Sequence, residues 1–106
     1  MAIHEITSAD FESVVLKAEK PVLVDFNATW CGPCRMLKPT LEAVAAERPD
    51  VEIVGIDVDE NQDLAEEYGV YSIPCLILFK DGMEADRSVG LVPKEALLEF
   101  LGEANG

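Results

Sequence analysis

The stretch Pro21-Val22-Leu23-Val24-Asp25-Phe26-Asn27-Ala28-Thr29-Trp30-Cys31-Gly32-Pro33-Cys34 joins an apolar run to a pair of cysteines. Val22 to Phe26 reads as a buried strand, because parallel strands covered on both sides are apolar throughout. Asp25 interrupts it. A helix is expected over 31–48, with Met36, Leu37, Leu41, Val44 and Ala45 as its apolar stripe. Pro39 should kink that helix, and Pro49-Asp50 closes it. The strand thus delivers Cys31 and Cys34 to the head of a helix.

Two cysteines three apart at a helix start can face each other at disulfide distance. The first lies where unpaired backbone N–H groups and the positive helix end stabilise an anion. That lowers its thiol pKa, and the thiolate is the nucleophile. The second sits a turn inside the helix and should be more buried. One cysteine then attacks a substrate disulfide and the other resolves the mixed disulfide. Arg35 reads either as a source of local positive potential or, more simply, as a solvated surface cation. Zinc ribbons also use Cys-x-x-Cys, but zinc wants a second pair, and only Cys75 and His4 remain, at unrelated spacings. A purely structural disulfide would close too short a loop to stabilise much.

Outward from this stretch, strand-like and helix-like segments alternate. Ile3 to Ile6 is a short strand candidate, and Thr7-x-x-Asp10 matches a capping box for a helix with Phe11, Val14, Val15 and Ala18 on one face. Val51 to Val58 is a second apolar strand, and residues 62–68 form a short helix stopped by Gly69. Cys75 to Phe79 is a third apolar strand, and Lys80-Asp81-Gly82 turns the chain so that 83–89 returns as an antiparallel partner. Pro93 starts a final helix patterned by Ala96, Leu97, Phe100 and Leu101. The tail Glu103-Ala104-Asn105-Gly106 is expected to fray. The order β-α-β-α-β-α-β-β-α argues for a mainly parallel sheet with helices on both faces and one antiparallel edge.

The chain has 106 residues, 49% of them apolar, so a single domain spanning 1–106 with one packed core is expected. Acidic residues outnumber basic ones 21 to 8, for a net charge of −13. Such a surface repels phosphate backbones and anionic lipid, so neither nucleic acid nor membrane is an expected partner. No apolar run approaches the roughly 20 residues needed to cross a bilayer. The N-terminus, Met1-Ala2-Ile3-His4-Glu5, lacks the regions of a signal peptide, and three cysteines do not make a secreted disulfide framework. A cytoplasmic monomer is expected.

The segment Trp30-Cys31-Gly32-Pro33-Cys34 resembles the active site of the thioredoxin family. The resemblance covers nearly the whole chain: Asp25-Phe26, Pro39, Asp57-Val58-Asp59, Tyr68-Gly69-Val70, Ile73-Pro74, Leu78-Phe79-Lys80-Asp81-Gly82 and Val89-Gly90. It implies a thioredoxin-like α/β fold, a central five-stranded mixed sheet flanked by four helices. It implies a protein-disulfide reductase, with Cys31 attacking and Cys34 resolving. It also implies a cis peptide bond before Pro74, set against the active-site disulfide. Ile73 would offer its backbone to substrate, and Trp30, Gly32, Pro33, Gly90 and Leu91 would complete an apolar docking face. Taken singly, these last residues also read as a buried indole, turn residues and an ordinary loop. The implied partners are disulfide-containing client proteins and a thioredoxin reductase as electron source. The redox disulfide Cys31–Cys34 would work without a further cofactor.

Asp25 is expensive to bury among Val22, Leu23, Val24 and Phe26 unless paired, and desolvation should raise its pKa. It also reads as a strand-end Asp reaching water. By resemblance it matches the family's buried acid, which carries a proton for the resolving cysteine. Three positions depart from the family. Gly55 stands where a Lys is common near that acid, which should leave the Asp25 pKa more strongly raised. Cys75 stands where many relatives have Thr, and reads either as a small buried residue or as a third redox thiol. Asn27 replaces a frequent aromatic, which weakens support around Trp30. Tyr71 reads either as an enlargement of the docking face or as an isolated surface tyrosine that needs no function.

Two other functions fit the same frame. A binding module would use the docking face without turnover, but mere binding does not require both thiols. An oxidant or isomerase of an oxidising compartment is disfavoured by the Gly32-Pro33 dipeptide and the missing export signal.

Overall fold

The computed structural model describes residues 3–102. The expected fraying of 103–106 lies outside the described residues. The elements are β1 (His4–Glu5), α1 (Ser8–Phe11), a π-helical continuation (Glu12–Leu16), β2 (Val22–Asn27), α2 (Gly32–Glu47), β3 (Glu52–Asp57), α3 (Gln62–Glu67), β4 (Cys75–Lys80), β5 (Met83–Val89) and α4 (Lys94–Leu101). This is the anticipated α/β fold, a five-stranded mixed sheet with four helices.

The strand order is β1-β3-β2-β4-β5. β3 pairs in parallel with β1 and β2, whereas β4 runs antiparallel to both β2 and β5. The sheet is therefore not mainly parallel with one antiparallel edge. A parallel crossover must carry the chain back along a whole strand, about 20 Å for six residues. The six residues of α3 rise only about 9 Å, and β4 starts at the end where β3 stops: Phe26 pairs with both Ile56 and Cys75.

Strand alternation sorts the side chains into two layers. Val22, Val24, Phe26, Val54, Ile56, Cys75, Ile77 and Phe79 pack with Phe11, Val15 and Leu64 of the α1 and α3 face. Leu23, Ile53, Leu76 and Leu78 pack with Leu37, Leu41 and Val44 of α2 and Leu97 and Leu101 of α4. Burying each such side chain contributes roughly 1.5–3 kcal/mol. Asp25 and Gly55 alternate onto the α2 face, since their neighbours Val24, Phe26, Val54 and Ile56 point the other way.

Local signals held unevenly. Thr7 occupies the N-cap position of α1, but its side chain caps no N–H, so the capping box does not form. Instead the Ser8 N–H donates to Asn61 Oδ1 at 2.8 Å and the Ser8 hydroxyl to Asp63 Oδ1 at 2.7 Å, which ties α1 to the start of α3. The helix runs through Pro39 as one element. Met36 is exposed, because it lies about 100° round the helix from Leu37, off the Cys34-Leu37-Leu41-Val44 stripe. Ala96 is likewise exposed on α4, where Leu98 and Phe100 flank the buried Leu97 and Leu101. Pro93 is the N-cap of α4 rather than its first residue. The Asp81-Gly82 turn has positive φ at both residues, 54° and 79°, as a two-residue hairpin requires. Arg87 of β5 donates to the Tyr68 carbonyl at 2.7 Å and pairs with Glu84, which holds the end of α3 against the sheet edge.

Candidate active site

The end of β2 and the head of α2 build the site. Cys31 and Cys34 form a disulfide with Cα atoms 5.2 Å apart. Cys31 is the N-cap of α2, and its Sγ accepts the Cys34 N–H at 3.2 Å. Pro33 lies in the first turn, where its missing N–H deprives the helix of nothing. The two cysteines are almost equally buried, 4% and 6% exposed, so the second is not the more hidden. Ala28 clusters with both cysteines, and Val58 and Ile73 from other loops pack against them. What separates the two thiols is position on the helix: only Cys31 sits where the helix N-terminus presents an N–H to its sulfur.

The Ile73–Pro74 peptide bond is cis, with Pro74 buried and Ile73 against the disulfide cluster. The Gly90 N–H donates to the Pro74 carbonyl at 2.8 Å, so the two loops are joined beside the disulfide. Gly90 has φ +100°, which favours glycine there. Trp30 is 67% exposed, and its Nε1 donates to Asp59 Oδ2 at 2.7 Å. The buried-indole reading therefore fails: a hydrogen bond, not core packing, holds the ring. Leu91 and Tyr71 are exposed as well. Arg35 is exposed but anchored, donating to the Thr29 carbonyl at 2.7 Å.

Asp25 lies under this surface, 6% exposed. It lines a cavity of about 520 Å³ together with Cys34, Asn27, Lys38 and Glu5. Burial pushes its carboxyl from 3.8 up to about 6. A hydrogen bond from Asn27 works against that rise, the Glu5 charge adds to it and the Lys38 charge opposes it. Asp25 Oδ1 has no hydrogen-bond partner among the described residues. The Asn27 Nδ2 donates to the Asp25 main-chain carbonyl at 3.1 Å and also reaches Glu5 Oε2 at 3.3 Å and Asp25 Oδ2 at 3.4 Å, so it acts on the acid. Sequence reasoning missed Lys38, Glu5 and Asp59. Lys38 had a signal, since it stands one turn after Cys34 on the same helix. Asp59 stood in the Asp57-Val58-Asp59 motif without a role given to it, and Glu5 had no signal, because strand order places it.

Cys75 is free and 1% exposed, within the cluster of the α1 and α3 face rather than that of the disulfide. Among the described residues, no group of three or more His, Cys, Asp and Glu is placed to hold a metal ion, and no helix is long and apolar enough to cross a membrane.

Residues 2–103 match the Thioredoxin family. The chain belongs to the thioredoxin family. It is 51% identical over 103 residues to the thioredoxin of Mycobacterium bovis, covering 96% of this chain and 89% of the relative. To that of Staphylococcus aureus strain Mu50 it is 53% identical over 103 residues, covering 95% and 96%. To that of Porphyra purpurea it is 45% identical over 104 residues, covering 97% of each. This family member is a thiol–disulfide oxidoreductase, and Cys31 and Cys34, held together at the head of α2, form its redox-active pair.

Proposed function

We propose that this chain, acting as a single domain over 1–106, is a general cytoplasmic electron donor to disulfides of other proteins, with Cys31 as nucleophile and Cys34 as resolving thiol. The observation that carries this assignment is the Cys34 N–H donating to Cys31 Sγ at the N-cap of α2. The same N–H and helix end favour a thiolate once the disulfide is reduced, a lowering for which thioredoxins are a standard example.

The Cys31 thiolate attacks a client sulfur, forming a Cys31–client disulfide and expelling the other client sulfur as a thiolate. The Cys34 thiol then gives its proton to the Asp25 carboxylate, which shares the cavity wall with it. The Cys34 thiolate attacks Cys31 Sγ, restoring the Cys31–Cys34 disulfide and releasing the second client thiolate. Two electrons pass to the client, and a thioredoxin reductase returns two to the pair. The chain needs no cofactor of its own for these steps. Trp30, Gly32, Pro33, Ile73, Gly90 and Leu91 form the docking face, with Pro74 shaping its centre. The hydrogen bond between Gly90 and Pro74 supports treating the two loops as one surface. The protein works as a monomer.

Reduction of insulin disulfides with dithiothreitol as electron source tests the reading. Wild type accelerates the reaction and Cys31→Ser does not. Cys34→Ser accumulates mixed disulfides with many proteins. A folded, reducible wild type that leaves the insulin rate unchanged sinks the assignment.

A further inference from the structure

We propose that Arg87, oriented by Glu84, is a positioning residue for the segment 70–74 and sets how well protein disulfides dock against it. The role rests on the docking reading above, in which Ile73 presents its backbone to the client. Arg87 itself lies on β5, outside that face.

The sheet delivers Arg87 to the end of α3. Across the β4–β5 ladder it pairs with Ile77, whose side chain packs in the layer of α1 and α3. Residues paired in this way share a face of the sheet. A helix leaves its last carbonyls without intrahelical partners. In α3 the Gly69 N–H turns back to the Glu66 carbonyl and the Val70 N–H to the Ala65 carbonyl, with Gly69 at φ +64°. The next two carbonyls outward are those of Tyr68 and Gly69. Arg87 takes both, from Nη2 at 2.7 Å and from Nη1 at 3.4 Å. Glu84 grips the other side of the guanidinium, accepting from Nε at 2.8 Å and from Nη2 at 2.9 Å. Such a forked pair fixes the plane of the guanidinium as well as its charge.

The segment that follows is thereby pinned at both ends from one strand. Arg87 holds the carbonyls where the chain leaves α3, and the Gly90 N–H holds the Pro74 carbonyl where it enters β4. Between the pins, Val70 is buried under the sheet and Ile73 packs against the disulfide cluster, while Tyr71 is exposed. A docking backbone ordered before the client arrives loses less freedom on binding. Without the guanidinium, the Tyr68 and Gly69 carbonyls turn to water, and the entry to the segment is free to change direction.

Rate constants of the pre-reduced protein toward insulin and toward dipyridyl disulfide test this, in high salt so that a lost charge is screened. Dipyridyl disulfide is small and neutral, and has no peptide group to pair with Ile73. In Arg87→Met the insulin constant falls about fivefold, as for a docking conformation held about one-fifth of the time, and the dipyridyl constant is unchanged. Arg87→Lys keeps a donor for the Tyr68 carbonyl and lies between wild type and Arg87→Met. Glu84→Gln breaks one arm of the fork and lowers the insulin constant about twofold. Should Arg87→Met fail to fold, the ratio of the two constants in Glu84→Gln decides. A ratio equal to that of wild type overturns the role even where Tm falls, since Arg87 is then only a structural staple. Equal losses toward both disulfides overturn it as well. A wild type that reduces dipyridyl disulfide but not insulin sinks the docking reading itself, and this role with it.

Discussion

Asp25 pairs with Gly55 across the β2–β3 ladder, so a buried carboxyl has an absent side chain as its strand neighbour. Desolvation by burial dominates its titration and lifts its pKa from 3.8 to about 6. Between those values the folded protein holds the proton more tightly than the unfolded chain does. Stability contributed by this group is therefore complete below about pH 4 and lost as pH rises through about 6. The shift corresponds to about 3 kcal/mol. Asp25→Asn should raise stability at about pH 8 by up to that amount and change it little at about pH 3.5. Urea unfolding at the two pH values checks this, and an equal effect at both would count against it.

The same titration should govern exchange. As a proton acceptor, Asp25 works only when ionised, so resolution of the mixed disulfide by Cys34 slows as pH falls below about 6. Single-turnover release of client from the mixed disulfide should show this midpoint in wild type. In Asp25→Asn the release should be slower and lack the step near 6.

Cys75 should be chemically quiet. It is buried in the layer of the sheet opposite α2, and burial pushes its thiol pKa up, which depletes the reactive thiolate. After mild peroxide treatment of the folded protein, mass spectrometry should find Cys75 unmodified, and alkylation should reach it only on unfolding. Oxidation at Cys75 in the native state would reveal a third redox thiol instead.

Gly82 meets two demands at once. Its φ is +79°, and a Cβ there would stand 2.8 Å from the Leu16 carbonyl oxygen, which is backbone and cannot swing aside. Gly82→Ala should lose at least about 1–2 kcal/mol through the left-handed conformation alone. Thermal unfolding should show a lowered Tm, with insulin reduction at low temperature unchanged, since the turn lies at the end of the sheet remote from Cys31.

Much was legible because its causes are local. The apolar runs of β2, β3 and β4, the Asp81-Gly82 turn and the Leu37-Leu41-Val44 stripe each follow from residues close in sequence. So does the placing of Cys31 and Cys34 at a helix head. Local rules failed where a distant partner competed. Ser8 ties α1 to α3 in place of the Thr7 capping box. Asp59 draws Trp30 into an exposed hydrogen bond, although an indole alone suggests burial.

By itself the amino-acid order determined the elements, the redox pair and the presence of an acid in an apolar strand, since periodicity, turn chemistry and thiol spacing act over a few residues. Only the tertiary structure decided that β4 runs antiparallel to β2, that both cysteines are equally buried, and that Glu5, Gly55 and Asp25 form one row. Those facts depend on strand order and on contacts between residues far apart in sequence, and no neighbouring residue encodes either.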